Sequence, residues 1–190
     1  MSDFEIVPWS EDLSLSNFYK EADRRGFTNN ASRRMLVDCF RNEREKQTWI
    51  LYYQGNAVGS VAAHSFDDVM GPNSYRIAAR TCVFTDKLKG MTYSNGLRGI
   101  YVITKHQNPT SQFLIPTCID WAPKDAKLYI TSNELEAGTQ QRVHNIFGPA
   151  LERTGVMQRV KEVNYRGTDQ TVWRFNQSLF LEQLESAGRW

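Results

Sequence analysis

A chain of 190 residues that is 41% hydrophobic and 12% aromatic can build one packed core and does not have the composition of a disordered protein. Its 23 Lys and Arg against 21 Asp and Glu leave a net charge of +2, which argues against a dedicated nucleic-acid or membrane-surface binder but allows a local basic patch. No run approaches the roughly 18 consecutive apolar residues of a membrane helix, and the acidic start MSDFEIVPWSED lacks the layout of a secretion signal.

A cytoplasmic protein is expected. Its three cysteines, Cys39, Cys82 and Cys118, are odd in number and each lies in an apolar run, so they read as reduced core thiols. No repeat or low-complexity linker divides the chain. One domain over residues 1–190 is expected, with a variable insert at 86–107 and a C-terminal helix at 178–188.

In chain order, DFEIVP (3–8) reads as a short strand. A helix follows over 11–25, with Leu15, Phe18, Tyr19 and Ala22 on one face and Gly26 as its stop. Ser32 can cap a second helix through about Arg44. TWILYYQ (48–54) and AVGSVAAHSF (57–66) flank Gly55-Asn56, a two-residue hairpin signal. The polar loop DDVMGPNS then leads to a strand over YRIAARTCVFT (75–85), completing a meander.

Residues 86–104 fit a short helix or a strand, because IYVIT alone does not decide between them; the spacing of Leu97, Ile100, Tyr101 and Thr104 favours the helix. From Asn108 a helix is expected, kinked or broken at Pro116. KLYITSN (127–133) reads as a strand, and AGTQQRVHNIFGPALERTG (137–155) as a helix bent at Pro149 and ended by Gly155. RVKEVNY (159–165) and QTVWRFN (170–176) form a hairpin across RGTD, and Ser178 caps the last helix. Interleaved helices and hairpin-joined strands predict an α/β fold of the mixed α+β kind: a central, mostly antiparallel twisted sheet with helices on both faces.

Within HQNPTSQ, His106 and Gln107 precede a good N-cap, Asn108, and a good first helical residue, Pro109. The first turn of a helix leaves N–H groups free and carries positive dipole charge, so Thr110, Ser111 and Gln112 could receive an anion beside Lys105 and His106. A plain capped helix explains the same residues. His64 could line a cleft or be a satisfied core histidine. With His64, His106 and His144 dispersed and no Cys-x-x-Cys pair, no metal site is expected. Arg142, Arg153, Arg159, Lys161, Arg166, Trp173 and Arg174 could grip single-stranded nucleic acid. A solvated hairpin face with Trp173 in the core is favoured, because Glu152, Glu162 and Asp169 interrupt the patch.

The order of elements, with YYQGNAVGSVAAHSF, then YITSN leading into a helix, then ALERTGV, resembles the GNAT superfamily of acyl-CoA-dependent N-acyltransferases over roughly residues 3–176. More narrowly, RTCVFT, HQNPT, LYITSN and YRGTDQTVW look like uncharacterised GNAT-like proteins of marine tailed bacteriophages. The resemblance implies transfer of an acetyl or other acyl group from acetyl-CoA to an amine on a small molecule or peptide. It also implies that the fourth strand splays from the fifth. Cys82, Val83, Phe84 and Thr85 would then pair with the pantetheine arm, Asn133 would hold its other side, and 106–112 would take the pyrophosphate.

Two departures accompany the likeness. The family's Gln/Arg-x-x-Gly-x-Gly/Ala loop is missing, since Gly90, Gly96 and Gly99 lack its spacing. Leu151 also stands where the family often has a proton-donating Tyr. His144, two turns earlier on the same face, or Tyr165 could serve for proton transfer, with Asp169 and Glu134 as weaker options; for His144 an ordinary surface histidine is the plainer reading. A non-catalytic binding module of the same shape, interacting with protein or nucleic acid, fits both departures equally well. A homodimer packed through the C-terminal helix and Trp190 is compatible with either.

Overall fold

The computed structural model describes residues 4–10, 45–53, 55–81, 113–132, 148–165 and 167–187. Those residues contain seven strands: β1 (Phe4–Pro8), β2 (Glu45–Tyr53), β3 (Asn56–Ser65), β4 (Ser74–Thr81), β5 (Lys127–Ser132), β6 (Met157–Tyr165) and β7 (Thr168–Phe175). Four helices accompany them: α1 (Asp67–Met70), α2 (Ile115–Trp121), α3 (Gly148–Arg153) and α4 (Gln177–Ala187). One sheet runs in the order β1-β2-β3-β4-β5-β7-β6. Every neighbouring pair is antiparallel except β4–β5. That pair is parallel because the chain between them crosses over, carrying α2, instead of turning back in a hairpin.

Alternation along the strands sorts side chains onto two faces. On one face lie Trp49, Leu51, Val61, Ala63, Ile77, Leu128, Ile130, Trp173 and Phe175, all buried. Leu114, Ile115 and Cys118 beside and within α2, Leu151 of α3, and Phe180 and Leu184 of α4 close this core. Cys118 is fully buried, as expected, and burial pushes its thiol pKa far up, so it stays protonated and inert. The opposite face carries most of the buried polar groups: Thr48, Ser60, His64, Ser74, Arg76, Thr131 and Gln170. Beside them a smaller aromatic cluster joins Phe66, Tyr129 and Tyr165 with Val172, under Val69 and Met70 of α1.

Several boundaries differ from the sequence reading. Asn56 belongs to β3 and faces Tyr53, so the first hairpin turns before Asn56, with Gly55 in the left-handed region at φ 75. The expected loop after β3 begins with the one-turn helix α1, because Met70 N–H and Gly71 N–H find the carbonyls of Phe66 and Asp67 at 2.9 Å. The last hairpin is tighter than RGTD: its strands close on Tyr165↔Thr168. The cap of α4 is Asn176 and not Ser178, since Asn176 Oδ1 accepts the Leu179 N–H at 3.1 Å.

Pro116 lies inside a continuous helical path. A π-helical turn at 113–114 precedes α2, where the proline's missing N–H breaks the regular ladder. Thr117 Oγ1 donates instead to the Phe113 carbonyl at 2.6 Å. Gly155 does end α3 as expected. At φ 79 it lets its own N–H reach Glu152 O at 3.1 Å and Val156 N–H reach Leu151 O at 3.0 Å.

Candidate active site: a split in the sheet

Strands β4 and β5 are paired at only three positions: Ser74↔Lys127, Tyr75↔Leu128 and Arg76↔Tyr129. The joint starts where Asn73, in the left-handed region at φ 60, turns the chain and its carbonyl accepts the Lys127 N–H at 2.9 Å. Beyond Arg76 both strands continue. β4 stays paired to β3 out to Thr81↔Gly59, and β5 to β7 out to Ser132↔Thr171. Between residues 77–81 and 130–132 the two strands are not paired with each other, so among the described residues those main-chain edges are open on that side. Main-chain donors and acceptors are obligatory hydrogen-bonding groups, so such a gap suits a ligand with amides of its own.

The vertex of the gap is built on the polar face. Arg76 is 8% exposed, and its Nε donates to Thr131 Oγ1 at 3.0 Å. Thr131 lies two residues beyond Arg76's own partner, Tyr129, so the bond reaches forward past the last ladder pair. The guanidinium sits over the Tyr165 ring, 5.1 Å from its centroid, and Phe66 meets that ring edge-on at 5.4 Å. His64 faces Arg76 across the β3–β4 pair and is fully buried.

On the apolar face, Trp173 holds the β5 edge. Its Nε1–H donates to Ser132 Oγ at 2.8 Å, Arg159 lies 4.9 Å over its ring, and Gly148 packs flat against it.

Of the residues expected at the site, Tyr165 lies in the described part, beneath Arg76 at the vertex. Cys82, Val83, Phe84, Thr85, His106, Gln107, Asn108, Thr110, Ser111, Gln112, Asn133 and His144 fall outside the described residues. In the sequence Cys82 directly follows Thr81, the last residue of β4, and Asn133 directly follows Ser132, the last residue of β5. Leu151 is 4% exposed and part of the core. Among the described residues, Arg159 and Lys161 of the last hairpin lie on opposite faces of the sheet. Arg159 lies on the apolar face over buried Trp173, while Lys161 reaches across the other face to the Val69 carbonyl at 2.9 Å. Among the described residues no group of His, Cys, Asp and Glu could hold a metal ion, and no helix is long and apolar enough to cross a membrane.

Arg76 and Thr131 escaped the sequence reading. The available signal was an arginine at an inward position of an otherwise apolar strand, YRIAAR, where a charge is buried only with a partner.

No protein-family model matches the sequence, and no curated protein matches it. Solved structures do. An uncharacterized protein from Bacillus halodurans superposes with a TM-score of 0.55 at 8% identity, covering 97% of this chain and 89% of its own. Aminoglycoside acetyltransferase AAC(6')-Ib in complex with coenzyme A gives 0.54 at 11% identity, covering 96% of this chain and 99% of its own. An acetyltransferase from Streptococcus agalactiae 2603 gives 0.51 at 15% identity, covering 92% and 99%. The chain has the GNAT N-acetyltransferase fold. The comparisons give no support to the narrower likeness to phage proteins.

Proposed function

We propose that the protein transfers an acyl group, in the first instance acetyl from acetyl-CoA, to an amine. The observation that carries this reading is the split itself: two strands joined at three positions and then parted, with both edges continuing. A pantetheine arm has two amides, so it can take the place of a missing strand partner there. A neighbour of the same fold is described in complex with coenzyme A.

Acetyl-CoA would supply the activated acyl carbonyl. The chain's own part is to bind and orient it. The main chain of residues 77–81 and 130–132 forms the two open edges, and Cys82, Val83, Phe84 and Thr85, next in the chain, would add to the first. Their N–H groups would polarise the carbonyl as charge develops on its oxygen. Asn133 would hold the other side of the arm, and His106, Gln107, Asn108, Thr110, Ser111 and Gln112 the pyrophosphate, through N–H groups and hydroxyls. The acceptor nitrogen must lose a proton and the departing sulfur must gain one. Leu151 carries no proton, so His144 or Tyr165 is assigned that transfer.

Isothermal titration with acetyl-CoA tests the reading. Saturable binding is expected, weakened about tenfold when Asn108 and Ser111 are both changed to Ala, in line with the loss of one or two hydrogen bonds to a charged group. No heat of binding at high micromolar acetyl-CoA would overturn it.

A further inference from the structure

We infer that Arg76 is a positioning residue. With Thr131 and Tyr165 it forms a clamp that fixes where the sheet divides, and so holds the β5 edge in place for the acyl-CoA arm. The second half of this statement rests on the function proposed above; the first half does not.

Arg76 occupies the last paired position of β4. A strand edge that loses its neighbour should fray back from the end, because each remaining ladder pair is then held from one side only. Three pairs are a short joint to resist that. Arg76 reinforces it in two ways. Its Nε–H···Oγ1 bond to Thr131 ties β4 to the first residues of β5 that no longer pair with it. Its guanidinium lies over the ring of Tyr165, at the end of β6, and Phe66, which follows β3, meets that ring edge-on in turn. Three strands, β4, β5 and β6, therefore meet at one side chain. Arg suits this place because it is planar and stacks while its Nε–H donates sideways; Lys would provide neither the plane nor the lateral donor.

The clamp also constrains Thr131 from one face while Trp173 constrains Ser132 from the other, by its 2.8 Å bond on the opposite side of β5. Successive residues of the open edge, Thr131 and Ser132, are thus held on opposite faces, which keeps the edge's main chain in the plane of the sheet.

Thr131→Val tests the clamp, because it keeps the β-branched shape and removes the acceptor. In the free protein, amide exchange over residues 128–132 should speed up by about tenfold, the loss expected for a buried hydrogen bond to a charged donor, while β2–β3 amides keep their rates. Thr131→Ser, which retains the hydroxyl, should exchange like the wild type. Arg76→Lys should reproduce the Thr131→Val pattern and guards against a folding failure of either variant alone. Binding of acetyl-CoA should weaken about tenfold in Thr131→Val and recover in Thr131→Ser. Unchanged exchange at 128–132, or an equal rise throughout the sheet, would overturn the clamp. Wild-type protein that ignores acetyl-CoA while the variants show the local exchange pattern would remove the transferase reading and leave the clamp standing.

Discussion

The two edges of strand β4 behave differently. On one side it pairs with β3 at seven consecutive positions, from Ser65↔Tyr75 to Gly59↔Thr81. On the other it meets β5 at three. Neither strand has run out there, since β4 goes on to Thr81 and β5 to Ser132. The sheet thus consists of two banks, β1 to β4 and β5-β7-β6, each antiparallel within itself and joined to the other by a short parallel contact. Stability resides inside the banks and in the helices packed across them, which leaves the joint's open side available for a ligand.

If that division holds, substitutions inside a bank should cost stability, and those at the joint should cost little unless they touch the clamp. The largest expected effect is Trp173→Ala. It empties a fully buried indole site in the β5-β7-β6 bank and orphans the Ser132 bond, for a loss of about 3–5 kcal/mol in urea unfolding. Next comes Gly148→Ala. A Cβ there would collide with the Trp173 ring, and the indole is too tightly held to move aside. Overpacking of this kind costs about 1–3 kcal/mol, read by the same unfolding curves. Asn176→Ala removes the cap of α4 and should cost about 1 kcal/mol.

The smallest effect is at the joint. Ser74 is fully buried, its Oγ has no hydrogen-bond partner among the described residues, and its N–H is already held by Asp67 Oδ1 at 2.9 Å. Ser74→Ala should leave stability unchanged or raise it by up to about 1 kcal/mol, because an unsatisfied hydroxyl is removed. A large loss there would mean that the joint, and not the banks, carries the sheet.

The banks were legible in the sequence because they are made of local signals. TWILYYQ and AVGSVAAHSF alternate across one glycine turn, and RVKEVNY and QTVWRFN across another. Such hairpins need only near neighbours. Boundaries drifted by one or two residues where side-chain chemistry chose between adjacent candidates, as when Asn176 and not Ser178 took the cap of α4. The split followed only from the family likeness. Nothing in YRIAART or KLYITS says that pairing stops at Arg76 and Tyr129, since it depends on residues more than 50 positions apart in the chain. The Arg76–Thr131 bond was invisible for the same reason. The two faces were barely visible: only Trp173 was read as core from the strands, and burial of the polar set needs the whole sheet to be in place.

Hydrogen exchange of the β4 and β5 amides, with and without saturating acetyl-CoA, tests the central claim most directly. Exchange should slow at residues 77–81 and 130–132, where the arm would replace a strand partner, while the β2–β3 amides keep their rates. Identical rates at those two segments in the presence of bound acetyl-CoA would contradict it, because the ligand would then be seated elsewhere than in the divided sheet.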